Sequence, residues 1–166
     1  AEDHDRIPYR TTEAEIVDLF DPSVPHAAHG AFDDDGHLIA YGFVRVQTTE
    51  LSTVRATCSG AVHPEWRDKS FGTAIVTWQG DIARHLLARS GREGPAQIVH
   101  FADETVDGMV DLLVRSGYTA RRWYTQMRRD LSEGIPLVRL GPYLAIEPWS
   151  QGWSDQARRA HNQAFS

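Results

Sequence analysis

Residues 61–74 constrain the fold of this chain more than any other stretch. They lie between an extended apolar run at 54–62 and an amphipathic run at 74–87, which predicts a strand-to-helix turn. The first amide groups of a helix have no intrahelical partner, and here small residues and the cations Arg67 and Lys69 stand beside them. The turn is therefore predicted to form a cradle for a diphosphate at the positive end of a helix dipole.

Arg67, Ser70 and Gly72 stand at the spacing Arg-x-x-Ser-x-Gly. This pattern resembles the acetyl-CoA-binding motif of the GCN5-related N-acetyltransferase (GNAT) family, Arg/Gln-x-x-Gly-x-Gly/Ala. It departs from the family at Ser70, because serine adopts positive φ less readily than the preferred glycine. The resemblance implies that acetyl-CoA is bound by the turn and the strand before it, through Ala61, Val62, Arg67, Asp68, Lys69, Ser70, Phe71, Gly72 and Thr73.

The rest of the chain is predicted to alternate strands and helices. A capping box begins a short helix near residue 12, and an Asp-Gly turn joins two strands. Strands are predicted at 27–32, 37–46, 54–62, 96–101 and 118–130, and the later helices at 74–87 and 105–116. This order predicts an α/β protein (α+β, with a central mixed sheet and helices on both faces). The order, with Gly117-Tyr118 closing the last helix, resembles the GNAT fold over residues 28–131.

The two ends of the chain depart from the family pattern. Residues 1–131 are interpreted as a GNAT-like domain without its usual first strand and helix, and 132–141 as a linker. Residues 142–166 are predicted to form a strand at 143–148 and a helix at 154–165. This strand and helix resemble the start of a second GNAT domain, as in tandem members of the family such as mycothiol synthase. Alternatively, they complete the first domain, complete a neighbouring copy, or are an additional arm.

The composition limits the classes of function. A net charge of −6 and a pI near 5.7 argue against binding to nucleic acid or to an anionic membrane. No apolar run approaches the roughly 20 residues of a membrane span, and the acidic first residues are unlike a signal peptide. Cys58 is the single cysteine, which predicts a cytoplasmic protein with a buried thiol. The scattered histidines predict no metal site.

Catalytic residues are less clearly marked than the cradle. Acetyl transfer to an amine uses a base for the amine and an acid for the leaving thiolate. The tyrosine that the family places four residues before the helix-closing glycine is Leu113 here, and leucine cannot donate a proton. Tyr118 and Tyr124 are candidate substitutes, although aromatic packing explains either one. His100 and Glu104 are the candidate bases, with a structural histidine and a helix cap as the competing interpretations.

Three hypotheses of function remain open at this point. The first is an acetyl-CoA-dependent N-acetyltransferase that acts on a small amine. The second is a catalytically degenerate GNAT half that supports a partner domain, motivated by Leu113 and Ser70. The third is a protein-interaction module that completes its sheet as a homodimer.

Overall fold

The computed structural model describes residues 2–7, 10–47, 53–134, 136–137 and 139–165. The chain divides into two compact units, Ala1–Trp123 and Tyr124–Ser166. The sheet lies in the first unit, together with the predicted cofactor-binding residues and the candidate bases His100 and Glu104. Within the described parts of the chain, no helix combines the length and the apolar character that crossing a membrane requires.

The first unit is built on a four-stranded mixed sheet. Its elements are β1 (His26–Phe32), β2 (Leu38–Gln47), β3 (Val54–Val62), β4 (Ala96–His100), α1 (Glu13–Leu19), α2 (Phe71–Arg89) and α3 (Met109–Arg115). The strands lie in the order β1-β2-β3-β4; the first three pair antiparallel, and β3 and β4 pair parallel. This arrangement, with α2 on one face and α1 on the other, confirms the predicted fold class.

The core lies between α2 and one face of the sheet. Two cross-strand glycines, Gly42 on β2 and Gly60 on β3, allow the close approach of the helix. A Cβ at Gly42 would lie 2.9 Å from Cγ2 of Ile75, well inside van der Waals contact. The buried cluster consists of Val44, Val46, Val54, Ala56, Cys58 and Ala83. Trp78, Ile82, Leu86, Leu87 and Ile98 pack against it.

The opposite face of the sheet is covered in part by α1. Phe43 alternates with the core residues of β2 and so faces away from α2. Its ring meets the ring of Phe20 edge-on, with centroids 5.3 Å apart. The helix begins with the predicted capping box, because the Thr12 amide donates to Glu15 Oε2 at 2.7 Å and Thr12 Oγ1 accepts from the Glu15 amide.

The helix α3 ends as predicted but begins later. Gly117 has φ +87°, and its amide and that of Tyr118 donate to the last turn of the helix at 3.0 Å, which is a Schellman motif. The predicted start at residue 105 is wrong by one turn. Asp103 accepts hydrogen bonds from the amide and the hydroxyl of Thr105, and this local turn competes with the helix.

Two predicted strands are wrong. All residues of 118–130 and 143–148 are described, and neither stretch pairs with another strand. Alternating side chains indicate only that a segment could pair, and a strand forms only where a partner edge receives it. The predicted helix at 154–165 is confirmed as α4 (Ser154–Ala164), in the second unit.

Candidate functional site

An opening forms where β3 and β4 part. Their last paired residues are Cys58 and His100. Beyond them β3 continues to Val62, whereas the chain leaves β4 directly after His100. The last four residues of β3 therefore line one wall of a wedge-shaped opening at the edge of the sheet.

Two residues of β3 present main-chain groups to this opening. Main-chain groups alternate sides along a strand, and the Val54 amide donates to Pro95 on the β4 side at 3.0 Å. The same period directs the N–H and C=O of Gly60 and Val62 toward that side, past the end of the β4 ladder, where the Val62 carbonyl accepts from Nε of Arg67 at 3.5 Å. Ala61, which was also predicted to bind the cofactor, directs its main-chain groups toward β2 instead.

A buried glutamine fixes α2 against this part of β3. Gln79 is 2% exposed, and its Nε2 donates to the Ser59 carbonyl at 2.6 Å and to the Phe43 carbonyl at 3.3 Å. Ser59 is the first residue of β3 beyond the pairing with β4. Gln79 therefore holds the helix in register with the wall of the opening. The sequence analysis missed this residue, although it stands alone as a long polar side chain on the apolar stripe of α2.

The predicted cradle follows β3 through one short 3-10 turn. Asp68 has φ +58° and Ser70 has φ +64°, so two residues adopt a conformation that favours glycine. Ser70 is the N-cap of α2, but its side chain makes no capping hydrogen bond. Within the described residues, the amides of Phe71, Gly72 and Thr73 have no acceptor, and the first bond of the helix runs from Ala74 to Ser70 at 3.0 Å. Such outward amides suit an anion.

The two cations of the turn both have partners. Nη1 and Nη2 of Arg67 donate to the two carboxylate oxygens of Asp5, each at 2.6 Å. Nζ of Lys69 lies 4.5 Å from the centroid of the Trp66 ring, a cation–π contact on an exposed surface. Lys69 can leave this contact readily, whereas Arg67 is bound by a bidentate ion pair. No sequence signal links Asp5 to the turn, since 62 positions separate it from Arg67.

The electrostatics of this pair favour the charged forms of both groups. The hydrogen bonds from Arg67 hold the pKa of Asp5 below its usual range, against the opposing effect of burial. The same bonds raise the pKa of Arg67. The pair is therefore intact across the physiological pH range.

The candidate catalytic residues lie on the other wall, at the end of β4. The His100 ring packs edge-on against Tyr118 with centroids 4.6 Å apart, and its Nε2 is buried without a hydrogen-bond partner among the described residues. Burial lowers the pKa of His100 to about 4, so the ring is neutral at physiological pH. Glu104 is exposed on the turn that follows β4. Asp103 caps that turn, because its Oδ1 accepts from the amide and the hydroxyl of Thr105.

The candidate acids are no better placed. Leu113, at the position of the family tyrosine, is buried at 8% exposure and offers no proton. Burial raises the pKa of Tyr118, and its ring packs against His100, which supports the packing interpretation. Tyr124 belongs to the second unit and is 69% exposed. Burial raises the pKa of Cys58 to about 12, consistent with the predicted inert thiol.

Comparison of the structure with solved structures identifies the fold. The fold is similar to that of solved acetyltransferases, one of which is described as GCN5-related. An acetyltransferase from Trypanosoma brucei matches at TM-score 0.50 and 16% identity, covering 74% of this chain and 82% of that one. An aminoglycoside antibiotic 6'-N-acetyltransferase from Acinetobacter baumannii matches at TM-score 0.51 and 12% identity, covering 78% and 92%.

A third match is to part of a longer chain. A GCN5-related N-acetyltransferase from Sphaerobacter thermophilus has TM-score 0.53 and 20% identity, with 71% of this chain covered but only 36% of that one. Comparison of the sequence with protein-family models gives no match, and comparison with curated proteins gives none either. The likeness therefore lies in the fold, at sequence identities of 20% or less in these three structures.

Proposed function

We propose that this protein is an acetyl-CoA-dependent N-acetyltransferase that acts on a small amine. One observation carries the proposal: β3 parts from β4 and leads into a helix whose first three amides have no acceptor among the described residues. The opening suits an extended amide-bearing arm, and the helix mouth suits a diphosphate. Coenzyme A joins those two groups in one molecule.

The residues present fit coenzyme A in three respects. Gly60 offers a main-chain donor and acceptor, and Val62 its amide, along the side of β3 that is unpaired beyond Cys58, where an amide-bearing arm extends the ladder. The amides of Phe71, Gly72 and Thr73 suit the diphosphate, with Lys69 beside them. Gln79 fixes the spacing between the strand edge and the helix.

When bound, acetyl-CoA supplies a thioester whose acetyl carbon is attacked by the amine. In that transfer a C–N bond would replace the C–S bond, the amine would lose a proton and the leaving thiolate would gain one. The chain offers more groups for binding the donor than for transferring these protons, because Leu113, at the position of the family tyrosine, cannot donate a proton. Deprotonation of the amine by water would then replace a protein base.

A second candidate function is a degenerate GNAT half that supports a partner domain. Three observations favour it. A buried leucine, Leu113, stands where the family has its tyrosine acid. The Arg67 guanidinium is already paired with Asp5, and Ser70 has a positive φ at a position where the family prefers glycine. In this proposal residues 142–166 belong to a second GNAT domain.

Calorimetric titration with acetyl-CoA, followed by a turnover assay on a panel of small amines, separates the two functions. The N-acetyltransferase predicts micromolar binding and release of coenzyme A with at least one amine. Binding without turnover on any amine favours the degenerate half. Failure to bind at millimolar ligand rejects the first proposal.

Matched charge variants test whether the cradle is the binding site. Lys69→Met removes a cation beside the helix mouth, and we expect the affinity for acetyl-CoA to fall about three- to tenfold. Arg89→Met removes the same charge in the last turn of α2, at the other end of the helix. Equal losses of affinity in both variants would mean that binding depends only on the net charge of the protein.

A further inference from the structure

We propose that residues 2–7, the N-terminal segment, compete with the ligand for the cradle. The Asp5 carboxylate pairs with the Arg67 guanidinium until the diphosphate of the ligand displaces it. The inference rests on the proposed function and deepens it, since it names the group that the ligand must replace. It makes the N-terminal segment a built-in regulator of cofactor binding.

The first support is the burial of Asp5. It is 9% exposed and is the one buried acidic residue in the described part of the chain. Carboxylates are seldom buried unless they are paired, and this one is paired through both oxygens. A bidentate arginine–carboxylate pair is the geometry that arginine also offers to phosphate.

The second support is how the segment is attached. Of the hydrogen bonds described for residues 2–7, only those of Asp5 reach beyond residue 11. The others are local: the Ile7 amide donates to the Glu2 carbonyl at 3.1 Å, the Thr11 amide donates to the Glu2 carboxylate, and Arg10 pairs with Asp3. Releasing this ion pair therefore removes every hydrogen bond described between residues 2–7 and the cradle, while the local bonds of the segment stay formed.

The third support is access for a ligand. A cavity of about 360 Å³ lies beside the ion pair, between the segment and the turn that follows β4. Its lining residues are His4, Asp5, Arg6, Arg67, Thr105 and Asp107. A phosphate oxygen entering this cavity can approach Arg67 while the Asp5 pair is still in place.

Competition follows from these contacts. Nη1 and Nη2 of Arg67 both donate to Asp5, and Nε donates to the Val62 carbonyl at 3.5 Å, so a diphosphate that binds bidentately through Nη1 and Nη2 must displace Asp5. The apparent affinity for the ligand is therefore reduced by the fraction of molecules in which Asp5 holds Arg67. Removing the Asp5 charge should raise that affinity, which is opposite to the effect of deleting a group that helps to bind the ligand.

The test is calorimetric titration of acetyl-CoA into the wild type, Asp5→Asn and Asp3→Asn. We expect Asp5→Asn to bind about fivefold more tightly than the wild type. Asp3→Asn removes the same charge two residues away, from an exposed carboxylate paired with Arg10, and should bind as the wild type does. In an Arg67→Met background, Asp5→Asn should give no further gain.

The outcomes distinguish this inference from the proposed function. If the wild type binds and Asp5→Asn binds equally or more weakly, then Asp5 orients Arg67 for the ligand and the competitor is overturned, while the proposed function stands. If no protein binds at millimolar acetyl-CoA, both are rejected. Binding by Asp5→Asn alone would support both.

Limited trypsin digestion of the wild type provides a test that needs no variant. A ligand that displaces Asp5 should increase the rate of cleavage after Arg6 severalfold, because the segment leaves the cradle. The cleavage rate at Arg89, at the far end of α2, should not increase. Protection of Arg6 by acetyl-CoA would overturn the proposal.

Discussion

The two walls of the opening differ in the length of their strands and helices and in the pairing of their buried polar groups. The β3 wall, made of β3 and α2, has a strand of nine residues, a helix of nineteen and a buried glutamine that joins them. The β4 wall has a strand of five residues followed by the seven-residue helix α3, and it carries a buried histidine nitrogen that has no partner among the described residues. The groups suited to holding a donor lie on the first wall, and the candidate catalytic groups lie on the second.

This difference separates the groups suited to binding the acetyl donor from those suited to proton transfer. Main-chain amides at a strand edge and a helix mouth need only correct backbone geometry, which the β3 wall supplies. Proton transfer needs a particular side chain at a particular point, and there the β4 wall offers a leucine, a buried neutral histidine and an exposed glutamate. The structure therefore supports a donor-binding role more strongly than a particular catalytic mechanism.

The largest expected effect comes from breaking the β3 wall at its glycine. In Gly60→Ala the new Cβ would lie 2.6 Å from the Tyr41 carbonyl oxygen, which is backbone and cannot rotate away. We expect the free energy of unfolding to fall by about 2–3 kcal/mol in denaturant titrations. Ser59→Ala, on the exposed neighbouring residue, should change it by less than about 0.5 kcal/mol. A tolerated Gly60→Ala would show that the wall is not closely packed there.

The buried glutamine is the next test of that wall. Gln79→Leu removes the hydrogen bonds to the Ser59 and Phe43 carbonyls but keeps the side-chain volume. We expect a loss of about 1–2 kcal/mol in the free energy of unfolding, and weaker binding of acetyl-CoA. Gln97→Leu, on the exposed side of β4, is the control and should have little effect. Unchanged binding in Gln79→Leu would mean that the helix register does not depend on this contact.

The β4 wall is tested through the pH dependence of stability. The folded state holds the pKa of His100 near 4, whereas an unfolded histidine titrates near 6.5. As pH falls from 6.5 to 4, only the unfolded state gains this proton, so the free energy of unfolding decreases. We expect this decrease to be about 1 kcal/mol smaller in His100→Phe, after allowance for partial exposure of the ring. An unchanged pH dependence in His100→Phe would contradict this account.

The smallest expected effect is a gain at the cradle. Ser70→Gly places glycine at φ +64° and relieves the steric conflict of a Cβ in the left-handed region. We expect the free energy of unfolding to rise by about 0.5–1 kcal/mol. Ser90→Gly, at the other end of α2, should instead lower stability, because Ser90 lies in the right-handed helical region and its hydroxyl bonds the Leu87 carbonyl. Destabilisation by Ser70→Gly would contradict this account.

The sequence predicted the β3 wall well because its signals are local. The strand at 54–62, the turn and the helix after it each follow from nearby residues, and the structure agrees with all three. The strand at 118–130 could not be judged in this way, because its formation depends on a partner edge. Asp5 was equally out of reach, since an ion pair across 62 positions leaves no pattern in the chain. The assignment of individual cofactor and catalytic residues remains a prediction.

Cys58 has a practical consequence for the turnover assay. It is the single cysteine of the chain, it is 3% exposed beneath α2, and its thiol has a pKa of about 12. The native protein should therefore not react with chromogenic disulfide reagents, which release a coloured product when they react with a thiol. In such a reaction mixture, any signal that grows with time would report coenzyme A released by turnover, with no background from the enzyme.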